Sequence, residues 1–407
     1  MPPLETTFVS GGAVVNSKAV HFDRPSEYLE IVDSRTQAKY ILPTINNSIK
    51  AADLGNIKLL SHTPDHPLLN TRGLKVFDRG FTNTACVESS ITFIDGERGQ
   101  IKFRGYDIEY LYDNHDYEEK LLAELKAPQS VVDTIRAFPP QFSTGSMILA
   151  GLAAFAALDE GTKRLHSQAE RYYIGNTKNT DAAIIRTLAA LATTTALVYC
   201  HKRGKKFTKP DLEGTFIGNT LKMMGKEDKG IEKCLERLWI LYADHEMTNS
   251  TAAFLHASST LTDPLSRTIS AIVSAYGPLH GGAIDLAYQE FKAIASVKHC
   301  LFGFGHRIYK TVDPRTKFIH EMIDEQVRNP MLSRSPLLEI ALKIEKVAST
   351  DDYFVSRRLA ANTDLYGPLL YTALSFESDI IVAMASLSRV ADPMAHWRES
   401  MQQKPML

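Results

Sequence analysis

A chain of 407 residues, 44% apolar and 23% charged, is too long for one small core and has the composition of a globular protein of two or three domains. Its formal net charge of -1 argues against nucleic acid or a membrane surface as a partner, since both call for a basic excess. Cys86, Cys200, Cys234 and Cys300 show no CxxC spacing, which argues against a zinc ribbon or disulfide framework and for reduced thiols inside the cell.

Met1-Pro2-Pro3-Leu4-Glu5 opens the chain without the basic and apolar regions of a secretory signal or the arginines of a transit peptide. A soluble intracellular protein of the cytoplasm is expected, with an organelle left open. Residues 9–58 mix β-branched residues with Gly, Pro and Asn turns, and 13–15 and 38–42 read as short strands. Residues 91–103 read as a hairpin, with Asp95-Gly96 at the start of its loop. After Asp107 the pattern becomes helical, with apolar residues at helical spacing over 117–125, 129–137, 146–158 and 180–199. Residues 148–157 and 184–198 are apolar nearly all round and rich in Ala, as suits the middle of a helical core or an oligomer interface. The apolar run 147–158 is too short to span a bilayer. Helices follow at 231–244, 249–259 and 265–276, and after a break at 284–295, 318–327, 336–348, 369–376 and 380–390. The expected fold class is all-α, mainly helical, with a small β-rich N-terminus.

Ionisable groups sit beside glycine or proline in three breaks between these helices. They are Gly277-Pro278-Leu279-His280-Gly281-Gly282, Gly303-Phe304-Gly305-His306-Arg307-Ile308-Tyr309-Lys310 and Ala361-Asn362-Thr363-Asp364. Asp244-His245-Glu246 closes an earlier helix. Glycines before His306 allow a close backbone approach, and an unperturbed imidazole titrates near ~6.5. With Arg307, Lys310 and Arg315 nearby, the stretch offers proton chemistry beside a planar cation, which a keto-acid site needs. A glycine turn with solvated basic residues is the alternative, and any one of these histidines alone reads as a helix cap or a satisfied interior group. A metal site from His245, His280, His306 and Asp364 matches no ligand spacing, so no metal is expected. No Gly-x-Ser-x-Gly elbow, Gly-x-Gly-x-x-Gly or phosphate loop occurs.

Together and in this order, the three breaks, with Asp313-Pro314-Arg315, resemble the citrate synthase family. Gly80-Phe81-Thr82-Asn83 through Asp107-Ile108, Ala243-Asp244-His245-Glu246, Ser388-Arg389 and Ala395-His396-Trp397 extend the resemblance over residues 77–397. It implies condensation of oxaloacetate with an acyl-CoA and hydrolysis of the thioester. Asp364 would be the base, neutral His280 would donate to the thioester oxygen, and His306 would polarise the keto group and protonate the alkoxide. His245, Arg315 and Arg389 would bind oxaloacetate. Arg307, Lys310 and Asn362 would contact CoA, although exposed cations are the alternative for the first two. The resemblance also implies a citrate synthase-like two-domain fold. Its parts would be a β-rich N-terminal segment at 1–75, a large domain at 76–282 and 377–407, and a small mobile domain at 283–376. A homodimer is implied, with acyl-CoA as co-substrate and no permanently bound cofactor.

This chain departs from the family at several points. The usual Gly-Gly-Ala-Asn-Glu is Gly281-Gly282-Ala283-Ile284-Asp285, and Pro-Asn-Val-Asp is Ala361-Asn362-Thr363-Asp364. Gly367-Pro368 stands where many members have Ser-Gly, and a common His-Pro-Met is replaced near Thr144-Gly145-Ser146-Met147. The link from Lys292 to Gly303 is short, and the chain stops at Leu407, before an Arg-Pro segment whose arginine reaches the partner subunit's oxaloacetate in relatives. Several changes lie where the acyl group would sit, so the expectation is an alkylcitrate synthase for medium or longer acyl-CoA, of the kind that feeds polyketide-type pathways. Acetyl-CoA or propionyl-CoA as substrate, a catalytically silent assembly partner, and a metal-dependent hydrolase are the competing readings.

Overall fold

The structure, a computed structural model, describes residues 27–58, 73–78, 83–117, 125–168, 172–211, 213–282, 303–306, 308–328 and 336–402. The predicted strand 13–15, the helix 284–295 and nearly all of 117–125 lie outside these residues. Internal contacts divide the chain into two units, Met1–Glu88 and Ser89–Leu407.

The first unit holds an antiparallel meander of Tyr28–Asp33, Ala38–Ile45 and Ser48–Ile49. Its second turn places Asn46 and Asn47 at φ 50° and 56°, the left-handed pair that a two-residue hairpin loop requires. The first turn is held by Asp33, whose carboxylate accepts from the Arg35 side chain at 2.8 Å through both oxygens.

The second unit begins with the predicted hairpin, Thr92–Asp95 against Gln100–Phe103, extended by Tyr106–Asp107. Asp95 Oδ1 accepts the Glu97 and Arg98 amides, so the aspartate holds the loop together. Among the described residues, the named elements that follow are all helices, as the periodicity predicts. Side-chain caps start the helices, with Ser143, Thr215, Thr248, Asp263 and Asn362 each accepting a first-turn amide. The core helix is Thr177–Lys202, buried without interruption from Thr187 to Cys200. Its length and apolar character would suit a membrane span, but 83% of the apolar window is buried inside the protein. Small residues let its neighbour Thr144–Leu158 approach closely. A methyl group on Gly151 would stand 2.5 Å from Thr194 Cγ2.

The helix predicted at 369–376 instead runs Thr363–Ala373. Pro368 lies inside it, and Gly367 meets Tyr242 so closely that a methyl group would fall 2.2 Å from its hydroxyl. The Gly-Pro pair is a packing feature within a helix, and the cap at Asn362 outweighs its breaking tendency. The helices Glu160–Gln168, Phe216–Met223 and Ala391–Ser400 were not foreseen, the first because it is largely polar and the others because they are short.

Candidate active site

Five helix boundaries and the turn that holds His306 supply polar groups to one cavity of about 230 Å³. His245, His280, His306, Arg315, Asp364 and Arg389 all face it. Asp364 sits in the first turn of the helix Thr363–Ala373, and Arg389 ends the helix Ser378–Arg389.

His306 owes its position to glycine. Gly303 and Gly305 take φ of 88° and 80°, and a methyl group on Gly303 would stand 2.7 Å from the Leu365 backbone. The Gly303–Gly305 strip then pairs with the start of the Asp364 helix. Gly305 N–H donates to Ala360 at 2.7 Å and Asn362 N–H donates to Gly303 at 2.9 Å. Beyond the turn, His306 Nδ1 accepts the main-chain N–H groups of Ile308 at 3.1 Å and Tyr309 at 3.2 Å. This assigns the neutral tautomer with the proton on Nε2.

His280 is fixed the opposite way round. Its Nε2 accepts the Ser250 main-chain N–H at 3.3 Å and lies 2.9 Å from Ser250 Oγ. Ser250 is in the first turn of the helix Asn249–Ser258, whose positive end disfavours an imidazolium. The proton is therefore on Nδ1. Burial lowers both pKa values, with Arg389 adding to the effect at His280 and Arg315 at His306. His245 lies well below the ordinary imidazole value for the same reason, burial first and then Arg315 and Arg389. Its Nε2 meets Tyr309 Oη at 3.2 Å, and its ring packs edge-on to His306 at 5.1 Å.

Asp364 shifts in the other direction. Burial raises its carboxyl pKa, with Arg315 and Arg389 offsetting part of the rise. Arg315 is clamped by Asp313, Nε to Oδ1 at 2.9 Å and Nη2 to Oδ2 at 2.7 Å, in a fully buried fork. Arg389 Nη1 has no hydrogen-bond partner and stands 3.6 Å from Asp392 Oδ2. The arrangement offers two neutral imidazoles with one N–H each, a carboxylate of raised basicity and two guanidinium groups. That set can remove a proton from carbon, hold two developing oxyanions and neutralise a dicarboxylate.

The cavity also has an apolar lining, which includes Phe254, Ala271, Ile272, Val382, Ala385 and Val390. The residues foreseen for CoA fare differently. Lys310 is exposed and does not line the cavity, and Arg307 lies outside the described residues. Asn362 is buried and spends its side chain on the chain itself, accepting from Asp364 N–H at 2.9 Å and donating to the Gly305 carbonyl at 2.5 Å. Among the described residues, the group that brings three possible metal ligands together is Asp244, Asp392 and His396, and it shares no member with the foreseen set. Ser250, Tyr309, Tyr242 and Asp392 went unforeseen. Only Tyr309, inside the His306 stretch, carried a local signal.

Comparison with known proteins agrees with this geometry. The family profile described as "Citrate synthase, C-terminal domain" matches residues 80–407. The chain is 40% identical over 415 residues to a citrate synthase-like protein of Phoma sp., covering 92% of this chain and 87% of that protein. It is 34% identical over 420 residues to an alkylcitrate synthase of a fungal species, covering 92% and 91%. Among solved structures, a ternary complex of carboxymethyl coenzyme A and oxaloacetate with citrate synthase from Thermoplasma acidophilum superposes with a TM-score of 0.69. That pair is 26% identical, over 81% of this chain and 93% of the other. The citrate synthase of Pyrobaculum aerophilum gives a TM-score of 0.72 at 26% identity, over 84% and 92%.

Proposed function

The chain belongs to the citrate synthase family, transferase-type condensing enzymes, and from that premise we propose that it joins oxaloacetate to a medium or longer acyl-CoA as an alkylcitrate synthase. Asp364 takes a proton from the acyl α-carbon while His280 Nδ1–H stabilises the enolate oxygen. The α-carbon attacks the keto carbon of oxaloacetate, and His306 Nε2–H gives its proton to the alkoxide and regains one from water. Water then cleaves the thioester, releasing CoA and an alkyl-substituted citrate. Arg315, Arg389 and His245 hold the two carboxylates.

The observation that carries the reaction type is the convergence of His280, His306 and Asp364 on one cavity with both arginines. Removal of a proton from so weak a carbon acid needs a base and an oxyanion donor at once, and Asp364 with His280 supplies both. For the acyl group, the support is the apolar wall of the same cavity, which offers a tail something other than water to touch. Similarity to an alkylcitrate synthase points the same way.

Residues 283–376 would form the smaller domain that closes once oxaloacetate is bound, so that acyl-CoA meets the base only with its acceptor in place. The working unit proposed is a homodimer without a permanently bound cofactor. Cys86 and Cys200 are free thiols, which suits a reducing compartment such as the cytoplasm.

Purified protein given oxaloacetate with acetyl-, propionyl-, hexanoyl- or decanoyl-CoA should release CoA fastest with the longer two. Turnover confined to acetyl-CoA would overturn the alkylcitrate reading. Turnover with none of them would overturn the condensation itself.

A further inference from the structure

Behind Arg389 lies a buried triangle of groups that the proposed reaction does not use. Asp244, Asp392 and His396 are 4%, 1% and 4% exposed. Asp244 precedes His245, and Asp392 and His396 lie one turn apart on the helix Ala391–Ser400. His396 Nε2 stands 3.4 Å from Asp244 Oδ2 and 3.6 Å from Asp392 Oδ1. Those three atoms have no other partner.

The far side of the ring decides where its protons are. His396 Nδ1 meets Ser89 Oγ at 2.9 Å, and Ser89 Oγ donates its one proton to Glu399 Oε2 at 2.7 Å. Glu399 can only accept, because hydrogen bonds from Ser90 and Ser89 outweigh burial and keep it ionised. Ser89 therefore accepts from His396, and Nδ1 carries a hydrogen. Without a second proton, Nε2 would be a bare lone pair aimed at two carboxylate oxygens. Three buried acceptors would then face one another with no donor between them, a costly arrangement.

One added proton on Nε2 resolves it. The cluster then holds two carboxylates, one imidazolium and the Arg389 guanidinium, and the charges balance. A divalent cation would satisfy the same three atoms, but Arg389 already supplies positive charge at Asp392, which weighs against it. We propose that His396 is a positioning residue whose imidazolium offsets one of the two carboxylate charges of Asp392 and Asp244, so that less of the Arg389 charge is spent on them and more is left for a substrate carboxylate. The directions of titration agree. Burial opposes charge on His396, yet Asp244 and Asp392 outweigh it and raise its pKa. The other charged groups near the ring are Glu399 on its own helix, Arg104 at 3.4 Å from Glu399, and Glu246 in the turn after Asp244.

The proposal rests on Arg389 binding an oxaloacetate carboxylate, so the test reads oxaloacetate directly. Wild-type KM for oxaloacetate should rise with pH in a range displaced above the ordinary imidazole value of about 6.5, as His396 loses its proton and Asp392 is left uncompensated. His396→Gln, which cannot carry the proton, should raise that KM about tenfold at neutral pH, flatten its pH dependence and change kcat little. Adding Asp392→Asn to it should restore a low, flat KM, and Asp392→Asn alone, which removes a buried charge, serves if the single glutamine variant does not fold. A KM in His396→Gln equal to wild type would overturn the proposal. So would one zinc per chain that survives desalting. Wild-type protein that binds no oxaloacetate in calorimetry would instead overturn the functional reading beneath it.

Discussion

Asn362 Nδ2 donates to the Gly305 carbonyl at 2.5 Å, so the turn that presents His306 and the cap that presents Asp364 are joined by one side chain. The same amide caps the Asp364 helix through its oxygen. Asn362→Ala should therefore lose a cap and leave a carbonyl unpaired, costing about 2–3 kcal/mol. Thermal unfolding should show the loss, and kcat should fall with it, because the distance from base to donor is no longer set. An unchanged melting temperature would show that the two turns hold each other without it.

Asp364→Asn keeps the shape of the side chain and removes the base. CoA release should drop by about 10²–10⁴-fold while KM for oxaloacetate stays within a few-fold. In the wild type the base must be ionised, and burial places its pKa above the ordinary carboxylate value. Activity should thus fail on the acid side at a higher pH than an exposed aspartate would dictate. A pH profile of kcat flat to about pH 4 would contradict the role.

Ala385 and Ala271 are two of the small residues in the apolar lining. Ala385→Leu or Ala271→Leu should lower the ratio of decanoyl- to acetyl-CoA turnover by about 10-fold or more, the effect of a few methylenes of lost room. Assays with the same acyl panel read the ratio directly. An unchanged ratio in both variants would place the tail elsewhere.

Asp392 gives a stability prediction with a definite sign. Burial, and then Asp244, raise its pKa to about 7, far above the ordinary 3.8. This proton is additional to the one His396 carries, so on the acid side the folded cluster holds both, and the one on Asp392 is a proton that the unfolded chain gives up earlier. Stability from this group is complete below the unfolded value and is lost as pH rises toward the folded one. Over that window wild type should lose on the order of 2–4 kcal/mol relative to Asp392→Asn, since about three pKa units separate the two states. Denaturant titrations at several pH values check it, and parallel curves for the two proteins would refute it.

Much of the site could be read from the chain because its chemistry sits in local signals. Glycine before histidine at Gly305-His306, the Asp313-Pro314-Arg315 turn and the capped Asn362-Thr363-Asp364 each announce themselves within a few residues. The groups that set protonation could not be read this way. Ser250 meets His280 across 30 residues, and Tyr309 meets His245 across 64, so packing alone creates those contacts. The early start of the Thr363 helix was missed for a related reason. Gly367-Pro368 breaks helices by intrinsic propensity, but here Gly367 fits beneath Tyr242 and the cap at Asn362 has already committed the chain. Asp392 carries no local signal in the sequence, and only the fold reveals that Asp244 and His396 stand near it.

The main chain takes one nitrogen of His280 and the other kind of nitrogen of His306. Each ring is thereby a dead end for proton traffic, unable to accept at one edge and release at the other. A proton that Asp364 lifts from carbon must leave by exchange with water, and the alkoxide must draw on a separate source. The α-proton is therefore lost to solvent, and tritium placed on the acyl α-carbon should appear in water as CoA is released.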